Sequence, residues 1–186
     1  MIKPSIVGYP RPPMKAPKSH ELFRRMSSAE VAAIVEAACE DDELPEKIAG
    51  GVLTYQQIPL RRFTKLPEEA RFAYVRRTLR DKRATDLGLY VLSAALTRRQ
   101  ADLISSFLEA LKLPHDGPSL TVEGPIPAPA KKTLGRAVDA LLRVHDARDV
   151  ALYLHAFASQ PDVDWPVLAE LLDADERLAF EDCSAS

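Results

Sequence analysis

The stretch Val75–Ala95 recurs further along the chain as Val138–Ala158. Val75, Leu79, Arg80, Ala84, Asp86, Leu89, Tyr90 and Ala95 match Val138, Leu142, Arg143, Ala147, Asp149, Leu152, Tyr153 and Ala158. The shared core is Leu-Arg followed by Ala-x-Asp-x-x-Leu-Tyr. A pattern written twice implies one supersecondary unit used twice, each copy burying an apolar face of the next.

Each copy reads as three helices. In the first, Pro67 opens a helix with Glu68 and Glu69 in its first turn, where the macrodipole favours carboxylates. Phe72, Val75 and Leu79 form its apolar stripe. Residues 84–96 follow after a tight break and are apolar nearly all round, as in a helix buried in a bundle. Thr97-x-x-Gln100 has the spacing of a capping box opening a third helix, faced by Leu103, Ile104, Phe107, Leu108 and Leu111. In the second copy, Leu134, Val138, Leu141 and Leu142 line one helix. Asp146 starts the next, where Val150, Leu154 and Phe157 face inward. Asp164 is expected to cap the last, with Pro166 in its first turn. Leu178 and Phe180 should dock as a final turn.

Three further helices precede the first copy. Ser19 is expected to cap a short one ending at Arg25. Ser27-x-x-Glu30 fits a capping box, with Met26 and Val31 placed as a hydrophobic staple. That helix should run to about Glu40, where the acidic run Glu40-Asp41-Asp42-Glu43, at the wrong end of the macrodipole, helps stop it. Pro45 opens the third, faced by Ile48, Val52 and Leu53. Its Gly50-Gly51 pair costs ~1–2 kcal/mol of helix propensity, so either a neighbour packs very close there or the helix breaks.

The predicted class is all-α: two tandem three-helix units, solenoid-like or an orthogonal bundle, preceded by an N-terminal helical cap and a Pro-rich extended arm. The divisions are 1–18 for the arm, 19–112 for the first unit with its cap, 113–130 for a Pro-rich linker, 131–180 for the second unit, and 181–186 for a frayed tail. The linker carries Pro114, Pro118, Pro125, Pro127 and Pro129, which exclude a helix, and leaves one strand-like piece at Ser119–Val122. In the arm, Tyr9, Pro10, Pro12 and Pro13 form a candidate docking segment containing a PxxP pattern. The alternative is an arm that lies on the protein or in solvent.

The formal net charge of −2 selects no partner, but the charges segregate. Arginines and lysines dominate between Arg61 and Arg99, and carboxylates dominate after Val138. Arg76, Arg80 and Arg83 fall on one helical side with Arg77 beside them. These four are the candidate contacts for a partner or a nucleic acid, unless they pair inside the molecule.

Enzyme signals are sparse. His20, His115, His145 and His155 are scattered, without HExxH, GxSxG or a phosphate loop. His115-Asp116, near Ser119, is the best titratable pair. The repeated Asp86/Asp149 and Tyr90/Tyr153 read as packing residues, because one active site needs only one copy. No catalytic residue, cofactor or metal site is expected. Cys39 and Cys183 show no disulfide or zinc spacing, which suits a reducing compartment. The first residues lack the apolar core of a signal peptide, and no apolar run approaches the ~18 residues of a span. The expected protein is a cytoplasmic, non-enzymatic helical interaction module, an adaptor or assembly subunit with a protein partner and no membrane. The alternative is a nucleic-acid-binding module using the helix around Arg76–Arg83.

Overall fold

The computed structural model describes residues 17–40, 43–122 and 124–180. The candidate docking segment Tyr9, Pro10, Pro12 and Pro13 and the tail 181–186 lie outside the described residues. The chain is mostly helical, as its periodicity predicts. The N-terminal helices are α1 (Ser19–Arg25), α2 (Ser28–Ala38), α3 (Leu44–Gln56) and α4 (Leu60–Phe63). Next come α5 (Glu68–Leu79), α6 (Thr85–Arg99) and α7 (Ala101–Ala110). A hairpin of β1 (His115–Asp116) and β2 (Ser119–Leu120) precedes α8 (Lys131–Val144), α9 (Ala147–Ala158) and α10 (Pro166–Ala174). Short 3-10 turns stand at Lys82–Ala84 and Glu176–Leu178. No helix among the described residues is long and apolar enough to cross a membrane.

Local chemistry explains the start of α2. Ser27 Oγ accepts from the Glu30 N–H at 3.2 Å, and the Ser27 N–H donates to Glu30 Oε2 at 2.7 Å. Both donors are thereby satisfied as a capping box requires, with Met26 and Val31 buried beside it. Three expected caps are corrected. Ser19 is not a cap but the first residue of α1; its hydroxyl donates to the Thr85 carbonyl at 2.5 Å. Thr97 lies inside α6, which runs on to Arg99 because Leu96 is buried and two arginines suit its C-terminal turn. Asp164 stands one residue too early: Trp165 takes the cap position of α10. There the indole N–H donates to the Ile126 carbonyl at 2.8 Å.

Helix α6 occupies the middle, packing against α1, α2, α3, α5, α7 and α9. Two glycines permit this. A Cβ on Gly88 would lie 2.8 Å from Ser19 Oγ and 3.4 Å from a Phe23 ring carbon, so α1 rests almost on the α6 backbone. A Cβ on Gly51 would run into the Leu87 side chain. Gly51 thus marks close packing of α3 on α6, whereas Gly50 faces open space, and α3 stays helical through both. Helix α6 is less uniformly buried than its composition suggests: Val91, Leu92, Ala95 and Leu96 are buried, whereas Tyr90 is 43% exposed. The Lys47 ammonium lies 4.7 Å over the Tyr90 ring and keeps that edge of the helix polar.

One hydrophobic cluster extends from Leu22 to Phe180 and draws on every helix except α4. Its aromatic centre is Phe107, Tyr153, Phe157 and Trp165, with Phe157 5.5 Å from Phe107 and 5.2 Å from Trp165, both edge-on. A smaller cluster of Val52, Ile58 and Phe63 sits under α4. The proline-rich segment is tied down. Gly117, at φ 55°, supplies the positive φ of a two-residue hairpin turn, and His115 pairs with Leu120 across it. Ile126 is buried, and its N–H donates to the Asp162 carbonyl at 3.0 Å. The segment therefore straps the start of α10.

Candidate functional site

Helix α5 ends with Arg76 and Arg77 in its last turn, where the macrodipole favours cations. Arg80 follows at the cap and reaches across to α1. Its Nε donates to the Phe23 carbonyl at 3.0 Å and its Nη2 to the Met26 carbonyl at 2.7 Å. These carbonyls sit at the C-terminal end of α1, where intrahelical donors run out. Arg24 Nε returns the contact, donating to the Arg80 carbonyl at 3.0 Å. Burial, followed by the neighbouring charge of Arg76, pulls the Arg80 guanidinium below its ordinary range. It remains charged at any physiological pH.

Arg83 makes a different clasp. Its Nη2 lies 2.6 Å from Asp81 Oδ2 and 3.0 Å from the Tyr55 carbonyl near the end of α3. Its Nε lies 3.0 Å from Asp81 Oδ1. The guanidinium hydrogen bonds pull the Asp81 carboxyl down to about 2. The same Asp-x-Arg fork recurs at Asp175 and Arg177, again with 2.6 Å between Nη2 and Oδ2. Both forks are exposed, and such pairs add little stability.

The structure brings Arg76, Arg77 and Arg80 together around one concavity of about 640 Å³, which Arg24, Ala73, Asp81 and Lys82 also line. Arg83 does not line it. Arg76 donates to Ser28 Oγ at the start of α2, whereas Arg77 stands exposed. The concavity thus gathers five cations around a single carboxylate, and that carboxylate is already held by Arg83. None of the four expected arginines pairs with the acidic C-terminal half among the described contacts. Sequence reasoning missed Arg24 and Lys82. Arg24 belongs to α1 and reaches the site only because Arg80 docks the two helices; Lys82 was visible as part of the basic run.

No family model, curated protein or solved structure matches this chain.

The remaining sequence candidates fall elsewhere. His115 sits in the hairpin, its Nδ1 2.8 Å from the Gly117 carbonyl, to which it donates. Asp86 and Asp149 stand in the first turns of α6 and α9, as the repeat predicts. Tyr90 and Tyr153 diverge, the first exposed and the second 5% exposed.

Two histidines are buried in neutral form. Thr85 donates its hydroxyl proton to the Lys82 carbonyl at 2.8 Å, so His20 Nδ1 donates to Thr85 Oγ1 at 3.0 Å. His155 Nε2 donates to the Leu178 carbonyl at 3.1 Å. Burial is the main force lowering both pKa values, with the Arg25 charge adding to it at His155. The unfolded chain, whose histidines titrate near ~6.5, therefore binds more protons just below that pH than the folded one. This contribution is complete above pH ~6.5 and is lost as pH falls, by up to about 1.4 kcal/mol per histidine per pH unit. Urea unfolding at a series of pH values should show the decline, and His155→Gln should flatten it. An unchanged slope in that variant would remove His155 from the account.

Proposed function

We propose that the chain is a non-enzymatic helical protein–protein interaction module, working in the cytoplasm as an adaptor or assembly subunit. In this reading α5–α7 and α8–α10 are two tandem three-helix units, and α1–α4 cap the first. The bound partner presents an acidic segment. One observation carries the reading: five cations surround a concavity whose only carboxylate is already engaged. Clustered like charges of this kind repel one another and favour an anionic partner. Arg80 is held by two main-chain carbonyls, which fixes part of the surface before a partner arrives. The same guanidinium chemistry suits phosphates, so a nucleic acid is the second reading.

Fluorescence anisotropy with a labelled glutamate decamer and a uridylate decamer separates the two. The glutamate decamer should bind saturably at physiological salt. Arg77→Glu, an exposed change, should weaken that binding about tenfold. Tighter binding of the uridylate decamer, with a steep loss as salt rises, would make the chain a nucleic-acid module instead. Failure of both probes to saturate would remove the concavity as a partner surface.

A further inference from the structure

Two further concavities border α6 and share no lining residue with the arginine site. The inner one has a volume of about 140 Å³ and is bounded by α6, α7, α9 and the hairpin. Leu96, Ile104, Leu108, Leu120 and Phe157 give it an apolar wall, and Tyr153 completes it. The outer one is a groove of about 640 Å³ whose lining includes Leu89, Tyr90 and Pro161 together with the charged Lys18 and Asp86. Ser93 and Gln160 line both and form the threshold between them.

Tyr153 is the anomaly. Its ring is locked by Phe107, edge-on at 5.4 Å, and by Phe157 at 5.9 Å. Its hydroxyl is buried and finds no hydrogen-bond partner among the described residues. Buried phenols ordinarily find one, and leaving a buried donor unmade costs about 1–3 kcal/mol. Packing therefore accounts for the ring and not for the oxygen.

We propose that these concavities bind a small, neutral, largely apolar molecule that carries one hydrogen-bond acceptor. A ring or short acyl chain fills the inner cavity, and a carbonyl or ether oxygen accepts from the Tyr153 hydroxyl. The remainder passes Ser93 and Gln160 into the groove beside Tyr90. The volume sets the size, since an apolar cavity of about 150 Å³ holds a benzene ring. The apolar wall excludes an ionised group from the inner cavity, since its burial there without a counter-charge is prohibitive. Burial raises the Tyr153 pKa, so the hydroxyl stays a donor throughout the physiological range. The two tyrosines of the sequence repeat stand at the two ends of this path.

The test uses acetophenone and ethylbenzene, which share a ring and nearly the same shape but differ in the acceptor oxygen. Binding to the full chain is followed through the methyl resonances of Leu96, Leu108 and Leu120. Acetophenone should bind saturably and about tenfold tighter than ethylbenzene. Tyr153→Phe removes one oxygen and leaves the ring packing in place, so the variant should fold, bind ethylbenzene undiminished, and lose the preference. Equal affinities in the parent protein, or a preference that survives Tyr153→Phe, would overturn the proposal. So would the absence of any saturable shift from either probe, which would mean that the cavity holds only water.

Discussion

Phe157→Ala should lower the unfolding free energy by about 3–5 kcal/mol, a large share of the ~5–15 kcal/mol that holds a domain of this size together. Phe157 is 2% exposed and touches the rings of Phe107, Tyr153 and Trp165. Truncation removes the transfer free energy of the ring and leaves a hole that rigid aromatic neighbours cannot collapse into. The loss should spread, because Trp165 also holds Ile126 and with it the proline-rich strap. Urea denaturation measures the cost directly. A loss below about 1 kcal/mol would mean that this aromatic group is not the centre of the core. The cavity beside Tyr153 is bounded by the same ring, so the variant should also enlarge it.

Arg80→Met should cost about 2–3 kcal/mol, although the methionine keeps most of the aliphatic stem. The loss is that of two charge-assisted hydrogen bonds, to the Phe23 and Met26 carbonyls, at a helix end with no replacement donors. Arg80→Lys should recover only part, since a single ammonium cannot reproduce the fork that spans both carbonyls. The exposed Arg77→Glu should stay within about 0.5 kcal/mol of the parent protein. That contrast separates an arginine that docks two helices from one that only contributes surface charge. If Arg80→Met unfolds at the same urea concentration as the parent, the clasp contributes nothing to the stability of the α1–α5 contact.

Much of the helical architecture was legible beforehand. Ser27 with Glu30, Pro45, Pro67 and Asp146 each mark a helix start, because capping depends on residues within one turn of each other. Thr97, Asp164 and Ser19 misled for the converse reason. A cap signal loses to burial or to a long-range hydrogen bond, and here the competing partners were Leu96, Ile126 and Thr85. The arginine side of α5 was visible from its spacing, but spacing cannot distinguish a guanidinium facing solvent from one facing carbonyls of another helix. Arg80 and Arg83 proved to be clasps, and Arg24 joined the concavity from α1, which three helices separate from α5.

The repeat Val75–Ala95 and Val138–Ala158 shows where the division falls. By itself the sequence determined that both stretches carry a helix with an aspartate in the first turn and a tyrosine one turn on, since those features follow from residues within a few positions. Only the tertiary structure decided what surrounds each copy. Tyr90 borders a groove under Lys47, whereas Tyr153 is enclosed by Phe107 and Phe157 with its hydroxyl unmatched. Identical local signals acquire different environments because burial and hydrogen-bond partners come from whichever elements pack alongside. Those neighbours are set by contacts between residues far apart in the chain, which no local pattern encodes.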